Sequence, residues 1–189
     1  MHVALRISTI HVSSPFKSST LKPIKRDTLT TAIIREIRSV DNANVAKVIR
    51  KVLLDLGVPK VGTAYADKAL DQMFENYNVP KATYFVVEME GEIIGCAGIA
   101  QLENYDGNVC ELQKMYFLEE ARGKGIGSKM MDVCLKKAKE LGFEQCYLET
   151  MPYMKAAQKL YKKSGFEYID AAMGNTGHFS CPVWMLKTL

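Results

Sequence analysis

Two hydrophobic periodicities alternate along the chain from about residue 31 onward. Short runs of alternating or continuous apolar residues predict strands, whereas apolar residues three and four positions apart predict amphipathic helices. The predicted strands cover residues 32–38, 83–89, 93–102, 109–118, 145–150, 166–169 and 183–186. The predicted helices cover residues 41–57, 66–77, 125–142 and 153–163, with Asp41 as the first N-cap. The order β α α β β β α β α β β indicates an α/β domain.

Length and charge narrow the class of protein. A chain of 189 residues is long enough for one domain with a substantial core. Residues 1–28 carry five basic residues and one acidic residue, so the net charge of +4 lies entirely in this segment. The remainder is neutral, and it lacks the basic patch and the motifs of a nucleic-acid-binding protein. We expect no nucleic-acid partner.

The N-terminal segment differs in composition from the rest of the chain. Residues 1–28 are basic and rich in Ser and Thr, which predicts an extension outside the domain of residues 29–189. An organelle transit peptide is an alternative, and the protein is otherwise expected in the cytoplasm. No apolar run reaches about 18 residues, so no membrane-spanning helix is expected.

The five cysteines and three histidines form no recognisable metal or disulfide pattern. The cysteine number is odd and no CxxC is present, which favours reduced, buried thiols. His178 and Cys181 are the closest His/Cys pair, and no second pair joins them to complete a zinc site. We therefore predict no metal.

Residues 122–127, with the sequence RGKGIG, lie between a predicted strand and a predicted helix. Glycines allow the backbone to approach an anion, and the amides at a helix N-terminus are unpaired. The spacing fits neither a Walker A loop nor the dinucleotide-binding GxGxxG pattern. A phosphate site and an ordinary glycine-rich loop both remain open on the spacing alone.

Two motifs together resemble the GNAT superfamily of acetyl-CoA-dependent N-acetyltransferases. Arg122, Gly125 and Gly127 match the first signature, Arg/Gln-x-x-Gly-x-Gly/Ala. Residues 157–166 match the second, AxxLYxxxGF. The resemblance covers about residues 30–189. It implies a GNAT-like acyl-CoA N-acyltransferase fold, with a mixed, mostly antiparallel sheet flanked by helices.

The resemblance also implies how acetyl-CoA, as co-substrate, would bind. The strands at 109–118 and 145–150 are expected to splay apart, and the pantetheine arm would lie between them. The pyrophosphate would bind the amides that begin the next helix. The implied cofactor-binding residues are Met115, Phe117, Arg122, Gly123, Lys124, Gly125, Gly127 and Ser128. At Met154 the family often has an asparagine that contacts the cofactor.

The resemblance implies Tyr161 as the acid that protonates the leaving thiolate. A phenol with a pKa near 10 suits a thiolate whose acid has a pKa near 8.5. Glu111 is the expected base that takes a proton from the amine, directly or through water, although a role in substrate binding remains open. Glu149 is a weaker candidate base. His178 is more typical of a local hydrogen-bonding role, and Cys181 of a structural one.

The predicted function is transfer of an acetyl group from acetyl-CoA to a primary amine, by direct attack in a ternary complex. A small-molecule amine is the expected acceptor, and the acidic residues Asp67, Asp71 and Glu75 could line its pocket. A non-catalytic acyl-CoA-binding module and a protein lysine or N-terminal acetyltransferase are the alternatives. A homodimer is possible, but no interface is evident in the sequence.

Overall fold

The computed structural model describes residues 31–57, 65, 67–176 and 181–189. The strands are β1 (Ile33–Glu36), β2 (Thr83–Met89), β3 (Glu92–Gln101), β4 (Val109–Phe117), β5 (Gln145–Thr150), β6 (Glu167–Ile169) and β7 (Val183–Thr188). The α-helices are α1 (Asn42–Asp55), α2 (Met73–Tyr77), α3 (Ile126–Glu140) and α4 (Lys155–Lys163). The predicted extension at residues 1–28 lies outside the described residues.

The seven strands of the described residues form one sheet, in the order β1-β2-β3-β4-β5-β7-β6. The neighbours are antiparallel except β4 and β5, which are parallel. The predicted fold class, a mixed and mostly antiparallel sheet flanked by helices, is confirmed. No helix in the described ranges is long and apolar enough to cross a membrane.

Each face of the sheet carries its own hydrophobic core, because alternate side chains of a strand point to opposite faces. One core packs α1 and α2 against the sheet through residues such as Ile49, Met73 and Val86. The other packs α3 and α4 through residues such as Met130, Tyr161 and Leu112. We call these the α1/α2 face and the α3/α4 face.

The first helix is anchored to β1 through Asp41 in a way that differs from the expected cap. The carboxylate of Asp41 accepts hydrogen bonds from the Arg35 guanidinium at 2.6 and 2.9 Å and from the backbone amide of Arg38 at 2.7 Å. It therefore fixes the short 3-10 turn before α1 instead of capping the helix with its side chain. Arg35 lowers the pKa of Asp41.

The predicted helix over 66–77 is two shorter pieces, a 3-10 helix at Lys68–Gln72 followed by α2. Two glycines of β3, Gly95 and Gly98, are covered closely by aromatic rings. A Cβ at Gly98 would collide with the Tyr84 ring and would lie 3.0 Å from Cε1 of Tyr77. A Cβ at Gly95 would collide with the ring of Phe117. These glycines let aromatic rings lie directly on the sheet.

The parallel strands β4 and β5 separate part-way along their length. Residues 109–111 of β4 pair with residues 145–147 of β5, and the pairing goes no further within the described chain. β4 nevertheless continues along β3 to Phe117, and β5 continues along β7 to Thr150. A β-bulge occurs in β4 near Lys114, which has a φ of 48°. The expected splay is therefore present, and it opens a gap beside the second half of β4.

Candidate active site between strands β4 and β5

Glu111 lies at the last β4–β5 pair, where the gap begins. Its neighbours Cys110 and Leu112 belong to the core of the α3/α4 face. By alternation, the side chain of Glu111 points to the α1/α2 face. The residue is only 3 % exposed, and its Oε2 accepts a hydrogen bond of 2.6 Å from Nε2 of Gln113.

Burial raises the pKa of Glu111 to about 7, because desolvation disfavours the charged form. Glu149 and Glu103 raise the pKa further through like charge, whereas Gln113 and Lys114 lower it. A carboxylate with a pKa near 7 is half-ionised at neutral pH and is a stronger proton acceptor than an exposed glutamate. Its environment therefore suits general-base chemistry.

Glu149 lies on β5 on the same face of the sheet as Glu111. Its Oε1 accepts a hydrogen bond of 2.8 Å from the hydroxyl of Tyr147. Tyr147 is fully buried, and its hydroxyl also accepts a hydrogen bond of 3.3 Å from the backbone amide of Met173. Glu149 is thus fixed beside the gap, close enough to Glu111 to affect its pKa.

Tyr161 lies on the opposite face of the sheet from Glu111. It lies on α4, is 8 % exposed, and belongs to the core of the α3/α4 face. Its ring packs edge-on against Phe166, with centroids 6.1 Å apart. Burial raises the pKa of Tyr161 to about 12, so the phenol keeps its proton at neutral pH. The two candidate catalytic residues therefore occupy opposite faces of the sheet.

The loop before α3 has the backbone form of an anion-binding site. Gly123 and Gly125 adopt φ values of 71° and 75°, and a Cβ on either would extend into open space. The amide of Lys129 bonds to the carbonyl of Gly125 at 3.1 Å. The amides of residues 126–128 precede that bond, so they have no partner within the helix. The loop can therefore present amides and partial positive charge to a phosphate.

The two sequence motifs meet at Gly127. A Cβ there would lie 3.3 Å from Cδ2 of Leu160 and 3.8 Å from Cε2 of Phe117. Gly127 of the first signature thus contacts Leu160 of the second, one residue before Tyr161. The start of α3 therefore lies close to α4 at Leu160.

The backbone of β4 beyond the bulge faces the gap. The amide of Leu118 donates to the carbonyl of Ile94 on β3 at 2.9 Å. Backbone groups of successive strand residues point to opposite edges, so those of Phe117 point toward the gap. Nε of Arg122 already donates to the carbonyl of Phe117 at 3.1 Å and braces the loop against the strand.

Several other candidates have local roles in the described chain. Asp71 pairs with Arg50 at 2.6 Å, and Asp67 accepts from the amide of Ala69 at 2.8 Å. Glu75 accepts from Nδ2 of Asn42 at 2.8 Å. These contacts explain the three carboxylates without a ligand.

The remaining candidates have different outcomes. Met154 precedes α4, where its sulfur accepts a weak hydrogen bond from Thr150 at 3.6 Å. Cys181 is half-buried, and burial raises the pKa of its thiol, as expected for a structural cysteine. His178 lies outside the described residues.

Sequence reasoning missed three polar residues around Glu111 and the bulge. Gln113 lies two residues after Glu111, so strand alternation alone could have placed both on one face. Tyr77 and Tyr84 come from α2 and β2, and their hydroxyls bond to Gln113 and to the carbonyl of Lys114. These contacts depend on the tertiary fold and have no local signal.

The fold and the paired motifs define an acetyltransferase, and comparison with known proteins agrees. Residues 52–166 match the Acetyltransferase (GNAT) family. The chain is 44% identical over 158 residues to an N-acetyltransferase of Escherichia coli named YjgM, covering 83% of this chain and 95% of that protein. The chain therefore belongs to the GNAT family and is an N-acetyltransferase.

Solved structures share the fold. A GNAT acetyltransferase from Staphylococcus aureus superposes with a TM-score of 0.75 at 21% identity, covering 84% of this chain and 99% of that one. A phosphinothricin acetyltransferase from Sinorhizobium meliloti, in complex with acetyl-CoA, superposes with a TM-score of 0.67 at 24% identity, covering 84% and 89%. At these identities the likeness shows the fold alone.

Proposed function

We propose that the protein transfers an acetyl group from acetyl-CoA to the primary amine of a small molecule, by direct attack in a ternary complex. The observation that carries this proposal is the buried carboxyl of Glu111, with a pKa near 7, at the point where β4 and β5 separate. A GNAT relative of the same fold, the phosphinothricin acetyltransferase, has been solved with acetyl-CoA.

The residues of the loop and of β4 suit acetyl-CoA. The open space at Gly123 and Gly125 accommodates a pyrophosphate, which the amides of residues 126–128 would bind, together with Lys124 and Ser128. The backbone groups of Met115 and Phe117 would bind the pantetheine amides in the manner of an added strand. When bound, acetyl-CoA supplies the acetyl group as a reactive thioester.

Glu111 would take the proton of the incoming ammonium, directly or through a water molecule. An amine attacks only in its neutral form, so a base is needed at neutral pH. The carboxylates of Glu111, Glu149 and Glu103 give this face a negative potential, which attracts a cationic amine. The backbone amides near Met115 would polarise the acetyl carbonyl.

Tyr161 would donate its phenolic proton to the departing sulfur from the other face of the sheet. Its burial keeps the phenol protonated until a thiolate develops beside it. The separation of base and acid onto opposite faces suits a reaction in which the amine enters from one side and the thiol leaves on the other.

The proposal is tested by measuring CoA release from acetyl-CoA by chromatography across a panel of amino acids, polyamines, aminoglycosides, simple amines and peptides. Chromatography avoids thiol dyes, which would also react with an accessible native thiol such as the half-buried Cys181. Turnover on a small amine supports the proposal and names the acceptor class. Turnover on peptides alone would establish a protein acetyltransferase instead. Acetyl-CoA binding without turnover on any amine would favour the binding-module alternative.

A further inference from the structure

A chain of two short hydrogen bonds runs from α2 to the carboxylate of Glu111. The hydroxyl of Tyr77 donates to Oε1 of Gln113 at 2.5 Å. Nε2 of the same glutamine donates to Oε2 of Glu111 at 2.6 Å. Each group has the polarity that its neighbour needs, because a phenol donates to an amide oxygen and an amide nitrogen donates to a carboxylate.

Packing fixes the far end of this chain. Tyr77 is 6 % exposed, and its ring packs against the fully buried ring of Tyr84, with centroids 4.7 Å apart and the planes tilted by 45°. Both rings lie over Gly98, where a side chain would collide with them. Tyr77 has little freedom to turn, so its hydroxyl holds the Gln113 amide in one orientation. That orientation presents Nε2, rather than Oε1, to Glu111.

We propose that Gln113 and Tyr77 are positioning residues for Glu111: Tyr77 orients the Gln113 amide, and Gln113 holds the Glu111 carboxylate in place and in its ionised form. This inference rests on the proposed function, in which that carboxylate is the base. Without these two hydrogen bonds, the buried carboxyl of Glu111 would ionise less readily, because hydrogen bonds to the charged form of an acid lower its pKa.

Other groups act on the same carboxylate. Glu149 on β5 and Glu103, after β3, oppose its ionisation, and Lys114 on β4 favours it. Tyr147 on β5 and Cys181 before β7 are also near enough to interact with it electrostatically, but burial raises the pKa values of both, so they are neutral at pH 7. Gln113 and Tyr77 thus work against the two acidic neighbours, and their removal should make Glu111 harder to ionise.

The test is a pH titration of the ligand-free protein by NMR, with 13C-labelled glutamate side chains and the Glu111 signal assigned by its loss in Glu111→Gln. The wild-type midpoint is expected near 7. Gln113→Met keeps the length of the side chain but removes the donor, and it should raise the midpoint by about one pH unit. Tyr77→Phe should raise it by less, because the amide donor remains.

Tyr84→Phe is the matched control. It removes the hydroxyl of the neighbouring Tyr84 ring, which donates to the carbonyl of Lys114 at 2.8 Å and takes no part in the two hydrogen bonds that lead to Glu111. The Glu111 midpoint should stay where it is in this variant. An unchanged or lowered midpoint in both Gln113→Met and Tyr77→Phe overturns the inference, and an unchanged midpoint in Tyr77→Phe alone removes that residue from it.

The pH dependence of kcat/KM, measured with the amine identified by the panel, separates this inference from the proposed function. The acid limb should move upward in Gln113→Met by the same amount as the NMR midpoint. A Glu111→Gln variant that keeps the wild-type acid limb would refute the proposed base, even where the NMR midpoints shift. An NMR midpoint that does not move in Gln113→Met would refute the positioning role of Gln113 and leave the role of Glu111 as the base untouched.

Discussion

Two regions beside the second half of β4, the surroundings of Glu111 and the loop before α3, are built in different ways. On the α1/α2 face, Tyr77 of α2 and Gln113 of β4 form two successive hydrogen bonds that lead to the buried Glu111, and burial raises the pKa of its carboxyl to about 7. In the loop before α3, glycines with positive φ expose backbone amides to open space. The first region depends on side chains excluded from water. The second depends on backbone conformation.

This difference predicts how each region responds to substitution. A backbone site tolerates changes of side-chain chemistry but fails when a residue cannot adopt the required φ. A buried polar site tolerates no loss of a partner, since each group there depends on another for its hydrogen bonds. The predictions below run from the largest expected effect to the smallest.

Glu111→Gln should lower turnover by about 100- to 10,000-fold, because it removes the base while keeping the shape of the side chain. Glu167→Gln, on the exposed strand β6, is the control and should keep turnover. Glu111→Gln should also raise the melting temperature at pH 8. Glu111 has a folded pKa near 7 against an ordinary 4.5, so the wild-type protein loses stability as the pH rises from about 4.5 to about 7, and at pH 8 the whole loss is present. A lower melting temperature with lost turnover would point to misfolding instead.

Gly125→Val should weaken acetyl-CoA binding on the order of 10- to 100-fold, measured by calorimetry, because a β-branched residue resists positive φ and its side chain would enter the phosphate space. Gly142→Val is the matched control. Gly142 has a φ of 81° with open space around it, at the end of α3 away from the loop. Both variants should lose similar stability, and only Gly125→Val should lose affinity. Equal affinities in the two variants would contradict the phosphate site.

Tyr161→Phe should lower turnover by about 10- to 100-fold and leave the affinity for acetyl-CoA unchanged, because the hydroxyl acts only when the thiolate departs. Tyr168→Phe is the control, because it removes another hydroxyl that contacts α4. That hydroxyl donates to Gln158 at 3.0 Å. Turnover in Tyr161→Phe equal to that of Tyr168→Phe would remove Tyr161 as the acid.

Glu149→Gln should shift the acid limb of kcat/KM to lower pH by less than about one unit. Its charge raises the pKa of Glu111, so the neutral variant should let Glu111 ionise at lower pH. An upward shift would show that Glu149 supports the ionised form of Glu111 instead.

The two regions also differ in how far the sequence could predict them. The conformation of the loop was predictable because it depends on local backbone, and Gly125 and Gly127 stand in a short motif at fixed spacing. The strand order was predictable because apolar periodicity follows the faces of each element. Glu111 was predictable as a candidate, but its burial and its pKa were not, since they depend on residues far away in the chain.

The contacts of Tyr77 and of Asp71, in the 3-10 helix Lys68–Gln72, show the same limit. Nothing near Tyr77 in the sequence connects it with Gln113, 36 residues later. Asp71 reads as a candidate ligand for an amine, yet Arg50 pairs with it across 21 residues. Side-chain partners of this kind are set by packing between elements, whereas a glycine's φ is set within one turn.

The most direct test of this account is a crystal structure of the protein with CoA. We predict that the pantetheine arm extends between β4 and β5 past Met115 and Phe117, with the pyrophosphate on the amides at the start of α3. The thiol should lie between Tyr161 and the face that carries Glu111. Phosphates bound away from residues 122–128, or a thiol remote from both Tyr161 and Glu111, would contradict the account.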